Sequence, residues 1–180
     1  MVGLGMCFSR GNSVTDLELH SGSMSTMVAH PDMVVNICMS YTRLPDDELM
    51  PLHSTLLEKK WGIKDVADCL QAAKSLSESI DLTRVFIRGH SSGGYTVLSA
   101  VSFGPEQKTF YAGATSSSGI SNLRWLAQFT HKFELTYMEK LLGGTLAEIP
   151  DVYDKERSPL YHADQIDTPL LVSSQLKLKM

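Results

Sequence analysis

Cysteine is scarce in this chain, with three among 180 residues. Cys7, Cys38 and Cys69 are odd in number, widely spaced and never in a C-x-x-C pair, which argues against a disulfide framework and against a zinc site. They read as small buried apolar residues of a reducing compartment. Long apolar runs are missing too: no stretch approaches the roughly 18 residues that suggest a membrane span. The short apolar start from Met1 to Phe8 has no basic region before it, so it does not read as a signal peptide, and N-x-S/T sequons are absent. Positive charge is not in excess either. Sixteen Lys and Arg against 20 Asp and Glu leave a net charge of −4, without the basic footprint that nucleic-acid binding needs. By elimination we expect a soluble, cytoplasmic protein with no nucleic-acid or membrane partner.

What is present suits a globular domain. Hydrophobic residues make up 43% and charged residues 20% of the chain, close to soluble averages. Residues 1–32 hold scattered Gly and Ser with no lasting period, and are expected to be a poorly structured segment. From Met33 to Tyr41 the run MVVNICMSY suits a buried strand. Residues 33–180 are read as one partial catalytic domain. After Trp61, the residues Ile63, Val66, Ala67, Leu70, Ala73 and Leu76 recur at steps of three and four, one apolar stripe of an amphipathic helix. Asp65 near its start complements the positive end of the helix dipole, and Asp68 shares that solvated face.

Val85-Phe86-Ile87 then suits a strand buried in a parallel sheet, and Tyr95 to Phe103 a helix. Tyr111 to Thr115 suits another strand. Leu123 to Phe129 and Phe133 to Leu142 read as helices, the second closed by Gly143-Gly144. Pro169 to Val172 opens a last strand. Strands alternating with helices predict an α/β fold with a mostly parallel sheet. Reactive groups in such sheets sit beyond the carboxyl ends of the strands.

The turn between the Val85 strand and its following helix is Gly89-His90-Ser91-Ser92-Gly93-Gly94-Tyr95. It contains G-x-S-x-G in the strand-before, helix-after setting of a nucleophile elbow. Ser91 has glycines at both required offsets, Gly89 and Gly93, with Gly94 next. Those glycines remove side chains that would meet neighbouring backbone in a tight turn. Ser91 is the candidate nucleophile, and the backbone N–H of Ser92 one oxyanion donor. The run matches neither the phosphate loop G-x-x-x-x-G-K-[ST] nor G-x-G-x-x-G, so no nucleotide cofactor is expected, and no metal.

Four blocks in order, WGIKDVADCLQAAKSL, IDLTRVFIRGHSSGGYTVL, THKFELTYMEKLLG and RSPLYHADQIDTPLLV, resemble the catalytic domain of the prolyl oligopeptidase family of serine peptidases. The likeness is to its dipeptidyl-peptidase and acylaminoacyl-peptidase-like branches. Trp61-Gly62 with Asp65 and Asp68, and the Gly93-Gly94-Tyr95 run, are more diagnostic than the elbow alone, which lipases and esterases share. The resemblance implies an α/β-hydrolase fold and Ser91 attacking a peptide or acyl-aminoacyl carbonyl. The chain also departs from the family. The His-Gly-Gly-Pro oxyanion segment has no counterpart, since His30-Pro31 lacks the glycines. Triad order in this fold is Ser, Asp, His, and no Asp or Glu follows Asp167. The chain therefore reads as C-terminally truncated, its triad acid and base missing, and as weakly active or inactive when isolated.

Of six histidines, His20, His30, His53, His90, His131 and His162, none matches the family's catalytic base. His90 is expected to leave the turn in another direction, and His131 and His162 to be structural. Asp164 and Asp167 precede the last strand and fall at its amino end, away from the reactive side. Trp125, Phe129, Phe133 and Tyr137, spaced at four, are expected to pack into the core, with a substrate entrance as the alternative. Two rivals stand beside the peptidase reading: an esterase or lipase-like hydrolase, and a non-catalytic truncated product that acts by binding.

Overall fold

A computed structural model describes residues 5–10, 23–30, 33–40, 57–75, 77–78, 81–103, 106, 109–130 and 132–174. Six strands, β1 Gly5–Arg10, β2 Ser23–His30, β3 Met33–Ser40, β4 Val85–His90, β5 Gly113–Ser117 and β6 Leu170–Ser173, form one sheet in the order β1-β3-β2-β4-β5-β6. The pairs β4·β5 and β5·β6 are parallel. The pairs β1·β3, β2·β3 and β2·β4 are antiparallel. The parallel half carries the elbow, and the antiparallel half extends the sheet beyond β4.

β1 and β2 fall within residues 1–32, where the sequence led us to expect little structure. β2 pairs with both β3 and β4, from Ser23↔Ser40 to Val28↔Val85. This order comes from the backbone ladder, a hairpin pairing of β2 with β3 and a long-range pairing of β2 with β4, which needs no local alternation of side-chain type. β3 matches the apolar run that predicted it.

Four helices are described: α1 Lys64–Lys74, α2 Ser92–Ser102, α3 Leu123–Phe129 and α4 Lys132–Leu142. Among the described residues none is long and apolar enough to cross a membrane. Their origins are local. Asn122 caps α3 by accepting the N–H of Trp125 at 3.0 Å, the arrangement that satisfies an orphan first-turn donor. α4 ends where Gly143 takes φ 104°, and the N–H groups of Gly143 and Gly144 both reach the Glu139 carbonyl, at 2.7 and 2.9 Å. The expected glycine stop is therefore built as read.

α2 is the centre of the molecule, with every residue from Gly93 to Ser102 buried. On one side Val97, Ala100 and Val101 pack with Val85 and Ile87 of β4, Val66, Cys69 and Ala73 of α1, and Tyr111 and Ala114. A second cluster gathers Tyr95, Trp61, Leu123, Met138, Leu141, Leu142 and Tyr153. β4 is not buried on both faces as its apolar run suggested. Val85 and Ile87 face the helices, while Phe86 and Arg88 alternate outward and are exposed.

The apolar stripe of α1 is rotated from its expected position. Val66, Leu70 and Ala73 are buried as read, but Ile63 and Ala67 are exposed, and Asp65, Cys69 and Ala72 turn inward instead; Leu76 lies outside the described residues. The reason is Asp65, which is 1% exposed. Its Oδ1 accepts the N–H of Gly62 at 2.7 Å and its Oδ2 accepts the hydroxyl of Thr96 on α2 at 2.5 Å. These two bonds fix the helix face that meets the core. Asp68 keeps the solvated role, pairing with Lys64 at 3.2 Å.

Burial raises the Asp65 carboxyl above its ordinary 3.8, outweighing the hydrogen bonds from Thr96 and Gly62 that favour the charged form. The folded chain then holds this proton to higher pH than the unfolded chain, so the contribution of Asp65 to stability falls as pH rises through that window. We predict that the stability advantage of wild type over Asp65→Asn widens between neutral pH and about pH 4. Urea midpoints measured across that range check it, and a pH-independent gap contradicts it.

Candidate active site

Ser91 stands between the last residue of β4 and the first of α2, at φ 53° and ψ −117°. A non-glycine residue with positive φ in a turn stores strain of order 1–3 kcal/mol, which the surroundings must hold. Two backbone bonds do so: the Ser91 N–H donates to the Ser117 carbonyl at the end of β5, and the Tyr95 N–H donates to the Ser91 carbonyl, both at 3.0 Å. The Ser91 side chain is exposed.

The glycines permit this turn through close approach. A Cβ on Gly89 would lie 2.2 Å from the Gly93 carbonyl oxygen, and one on Gly94 would lie 2.6 Å from the Gly119 Cα. No side chain fits either gap without moving backbone. Gly93, buried in the first turn, supplies the carbonyl that Gly89 faces. Ser116, fully buried on β5, donates its hydroxyl to the Gly94 carbonyl at 3.1 Å and so ties α2 to the sheet.

Ser92 is exposed and opens α2. First-turn N–H groups have no acceptor within their own helix, so that of Ser92 is free of the helix ladder and lies at the positive end of the α2 dipole.

The ends of β5 and β6 add groups that the sequence did not announce. Ser117 and Ser173 share a hydroxyl–hydroxyl bond of 2.9 Å. Ser118 takes φ 49° and donates its N–H to the Ser173 carbonyl at 2.6 Å. Both sit at the carboxyl ends of parallel strands, level with the elbow, because His90↔Ser117 and Ser117↔Ser173 are register partners. A positive φ at a serine leaves no mark in sequence, so only the strand-end position was a signal.

The other histidines and carboxylates singled out from the sequence are placed as follows among the described residues. His90 is exposed at the end of β4. His162 lies in the 3₁₀ turn Pro159–Gln165, where Nδ1 accepts from Gln165 Nε2 at 3.2 Å, Nε2 contacts the Lys155 carbonyl, and the ring packs on Phe103 at 5.2 Å. That is the structural role expected of it. Neither histidine is hydrogen-bonded to Ser91 among the described residues. His20, His53 and His131 lie outside those residues, and His30 lies on β2. Asp164 and Asp167 are exposed ahead of β6. Among the described residues no group of His, Cys, Asp and Glu is arranged to hold a metal ion.

The aromatic row is where the sequence expectation fails. Trp125 and Phe129 are 66% and 76% exposed and stack edge to face at 5.7 Å, instead of packing into the core. The spacing of four does not continue on one helix, because α3 ends at Phe129 and α4 begins anew at Lys132. Tyr137 is also exposed, and the side chain of Phe133 lies outside the described residues.

The turn before α1 completes the surroundings. Arg157, buried, donates to the carbonyls of Trp61 and Lys59 at 2.8 and 2.9 Å. Its own carbonyl accepts the Tyr95 hydroxyl at 2.9 Å, and the Trp61 and Tyr95 rings lie 4.4 Å apart. Gly62 is required there, since a Cβ would fall 2.2 Å from the Tyr95 hydroxyl oxygen. Sequence reasoning singled out Trp61-Gly62 and Tyr95 but gave Arg157 no role.

Comparison with known proteins places this geometry. The chain is 33% identical over 119 residues to dipeptidyl peptidase family member 6 of Caenorhabditis elegans, covering 63% of this chain and 16% of that relative. The solved structure of a Mycobacterium tuberculosis puromycin-hydrolyzing peptidase is 40% identical with a TM-score of 0.58, over 64% of this chain and 17% of the other. An acylaminoacyl peptidase solved in complex with Z-Gly-Gly-Phe-chloromethyl ketone is 26% identical with a TM-score of 0.55, over 66% of this chain and 19% of the other. The chain thus spans about a sixth of the length of such relatives, and its fold is that of the α/β-hydrolase peptidases. The sequence pattern of the prolyl oligopeptidase family matches residues 53–176, more than half of the chain and all of the elbow, and the chain belongs to that family.

Proposed function

We propose that residues 33–180 are the nucleophile-bearing part of a serine peptidase domain, in which Ser91 carries acyl transfer from peptide or acyl-aminoacyl substrates. The observation that carries this reading is Ser91 itself, exposed at positive φ between β4 and α2, with glycine close approaches on both sides. The names of the relatives support the substrate class. Ser91 Oγ adds to the substrate carbonyl while its proton passes to a base. The developing oxyanion is stabilised by the Ser92 N–H. The C–N bond then breaks as the leaving amine takes the proton, and water releases the acyl group from Ser91. The exposed faces of Trp125 and Phe129, on the helix that follows the Ser117–Ser118 strand end, suit an apolar substrate side chain.

A second reading is favoured by the histidines. A serine hydroxyl is a weak nucleophile without a base, and neither His90 nor His162 is hydrogen-bonded to Ser91. The 180-residue chain by itself then binds substrate and turns it over poorly.

The test is reaction with a fluorophosphonate probe and turnover of aminoacyl nitroanilides and short acyl esters. We expect slow covalent labelling located at Ser91 and abolished by Ser91→Ala, with residual catalysis on the order of 10³-fold over water. Labelling that survives Ser91→Ala removes the nucleophile assignment, and fast turnover lost in Ser91→Ala removes the second reading.

Gly89→Ala tests the turn. Its Cβ meets backbone at 2.2 Å, so the variant is expected to lose at least about 2 kcal/mol of stability and Ser91 labelling with it. A denaturation midpoint equal to wild type contradicts the assigned geometry.

A further inference from the structure

The hydroxyl of Thr96 has one proton and two acceptors. Asp65 Oδ2 lies at 2.5 Å and the Ser92 carbonyl oxygen at 3.4 Å. Thr96 is one turn beyond Ser92, so the second contact is the back-bond from a threonine to the carbonyl four residues earlier, which bends helices where it forms. The residue it would bend is Ser92, the first residue of α2 and the neighbour of Ser91. Asp65 is held for the first contact: it is buried, its other oxygen accepts the Gly62 N–H at 2.7 Å, and Gly62 is fixed against the Tyr95 hydroxyl. The contact at 2.5 Å outcompetes the one at 3.4 Å, which lies at the weak limit of hydrogen-bond distance.

We propose that Asp65 is a positioning residue for acyl transfer: by capturing the Thr96 hydroxyl it keeps that proton off the Ser92 carbonyl and leaves the first turn of α2 straight, with the Ser92 N–H aimed at the Ser91 oxyanion. This rests on Ser91 being the nucleophile. Without the carboxylate the hydroxyl swings to Ser92 and tips the first turn. Thr96 is then the agent of the damage, not a lost partner.

That competition makes the test specific. In the full 180-residue chain, Asp65→Asn should raise amide exchange of residues Ser92 to Thr96 about tenfold relative to β4 and β5 amides. It should slow fluorophosphonate labelling of Ser91 by about as much. Adding Thr96→Val takes away the hydroxyl that tips the turn, and should return exchange and labelling in the double variant toward wild type. Thr96→Ser, which keeps the hydroxyl beside an intact Asp65, should match wild type in both. A merely structural role predicts the reverse, with the double variant worse than Asp65→Asn. A double variant no better than the single one, or exchange that rises evenly across the sheet, overturns the proposal. If Asp65→Asn alone does not fold, folding of the double variant is the predicted rescue, and its failure to fold also overturns the proposal. If wild type is not labelled at Ser91, the nucleophile reading falls, while the exchange comparison still decides whether Asp65 controls the turn.

Discussion

The conformation of Ser91 is the constraint on which the surrounding structure depends. At φ 53° and ψ −117° a serine is strained, and strain of that kind persists only where the neighbours over-determine the backbone. They do so here from three directions. β5 holds the Ser91 N–H, α2 holds its carbonyl, and the backbone around Gly93 and Gly119 closes on Gly89 and Gly94. Each contact is backbone against backbone, so none can relax by a side-chain rotation. The helix that follows is buried along ten consecutive residues, and that apolar burial offsets the strain at its first turn.

Burying α2 completely raises the question of its polar groups, since a buried hydroxyl or carbonyl without a partner is costly. Ser102 answers locally, donating its hydroxyl to the Leu98 carbonyl at 2.7 Å, and three further answers are long-range. The Thr96 hydroxyl goes to Asp65, the Tyr95 hydroxyl to the Arg157 carbonyl, and the Gly94 carbonyl receives Ser116. Arg157 in turn binds the carbonyls of Lys59 and Trp61. Ser158, next to it, accepts the Leu123 N–H at 2.8 Å and donates to the Tyr153 carbonyl. The sequence blocks around Trp61, Gly89, Leu123 and Arg157 are therefore parts of one polar and aromatic assembly packed about α2.

The elbow was legible because its chemistry is local: glycines two before and two after a serine, between an apolar run and a helix. The strands β3, β4, β5 and β6 and the stop at Gly143-Gly144 were legible for the same reason. What failed was whatever depended on a distant partner. The α1 stripe was rotated because local hydropathy cannot show a carboxylate drawn inward by Gly62 and Thr96. β1 and β2 were missed because their order comes from pairing with β3 and β4. Trp125 and Phe129 were assigned to the core because spacing reports a face without saying what that face meets. Arg157 was passed over because an arginine in a loop reads as solvated until its carbonyl partners are known.

In the peptidase reading proposed for Ser91, position and activation of the nucleophile are separate physical tasks. Among the described residues, the groups that hold the Ser91 backbone are the strand that ends before it, the Ser117 carbonyl, the Tyr95 N–H and the close-packed glycines beside it. None of these groups alters the basicity of the hydroxyl appreciably, because none can accept its proton. Ser117 is linked to Ser91 through its carbonyl, which accepts an amide proton and leaves the hydroxyl untouched. A site of this kind stabilises charge on an oxygen that another group must help to form. Placement requires rigidity and burial, which explains why it is built on α2 and the sheet.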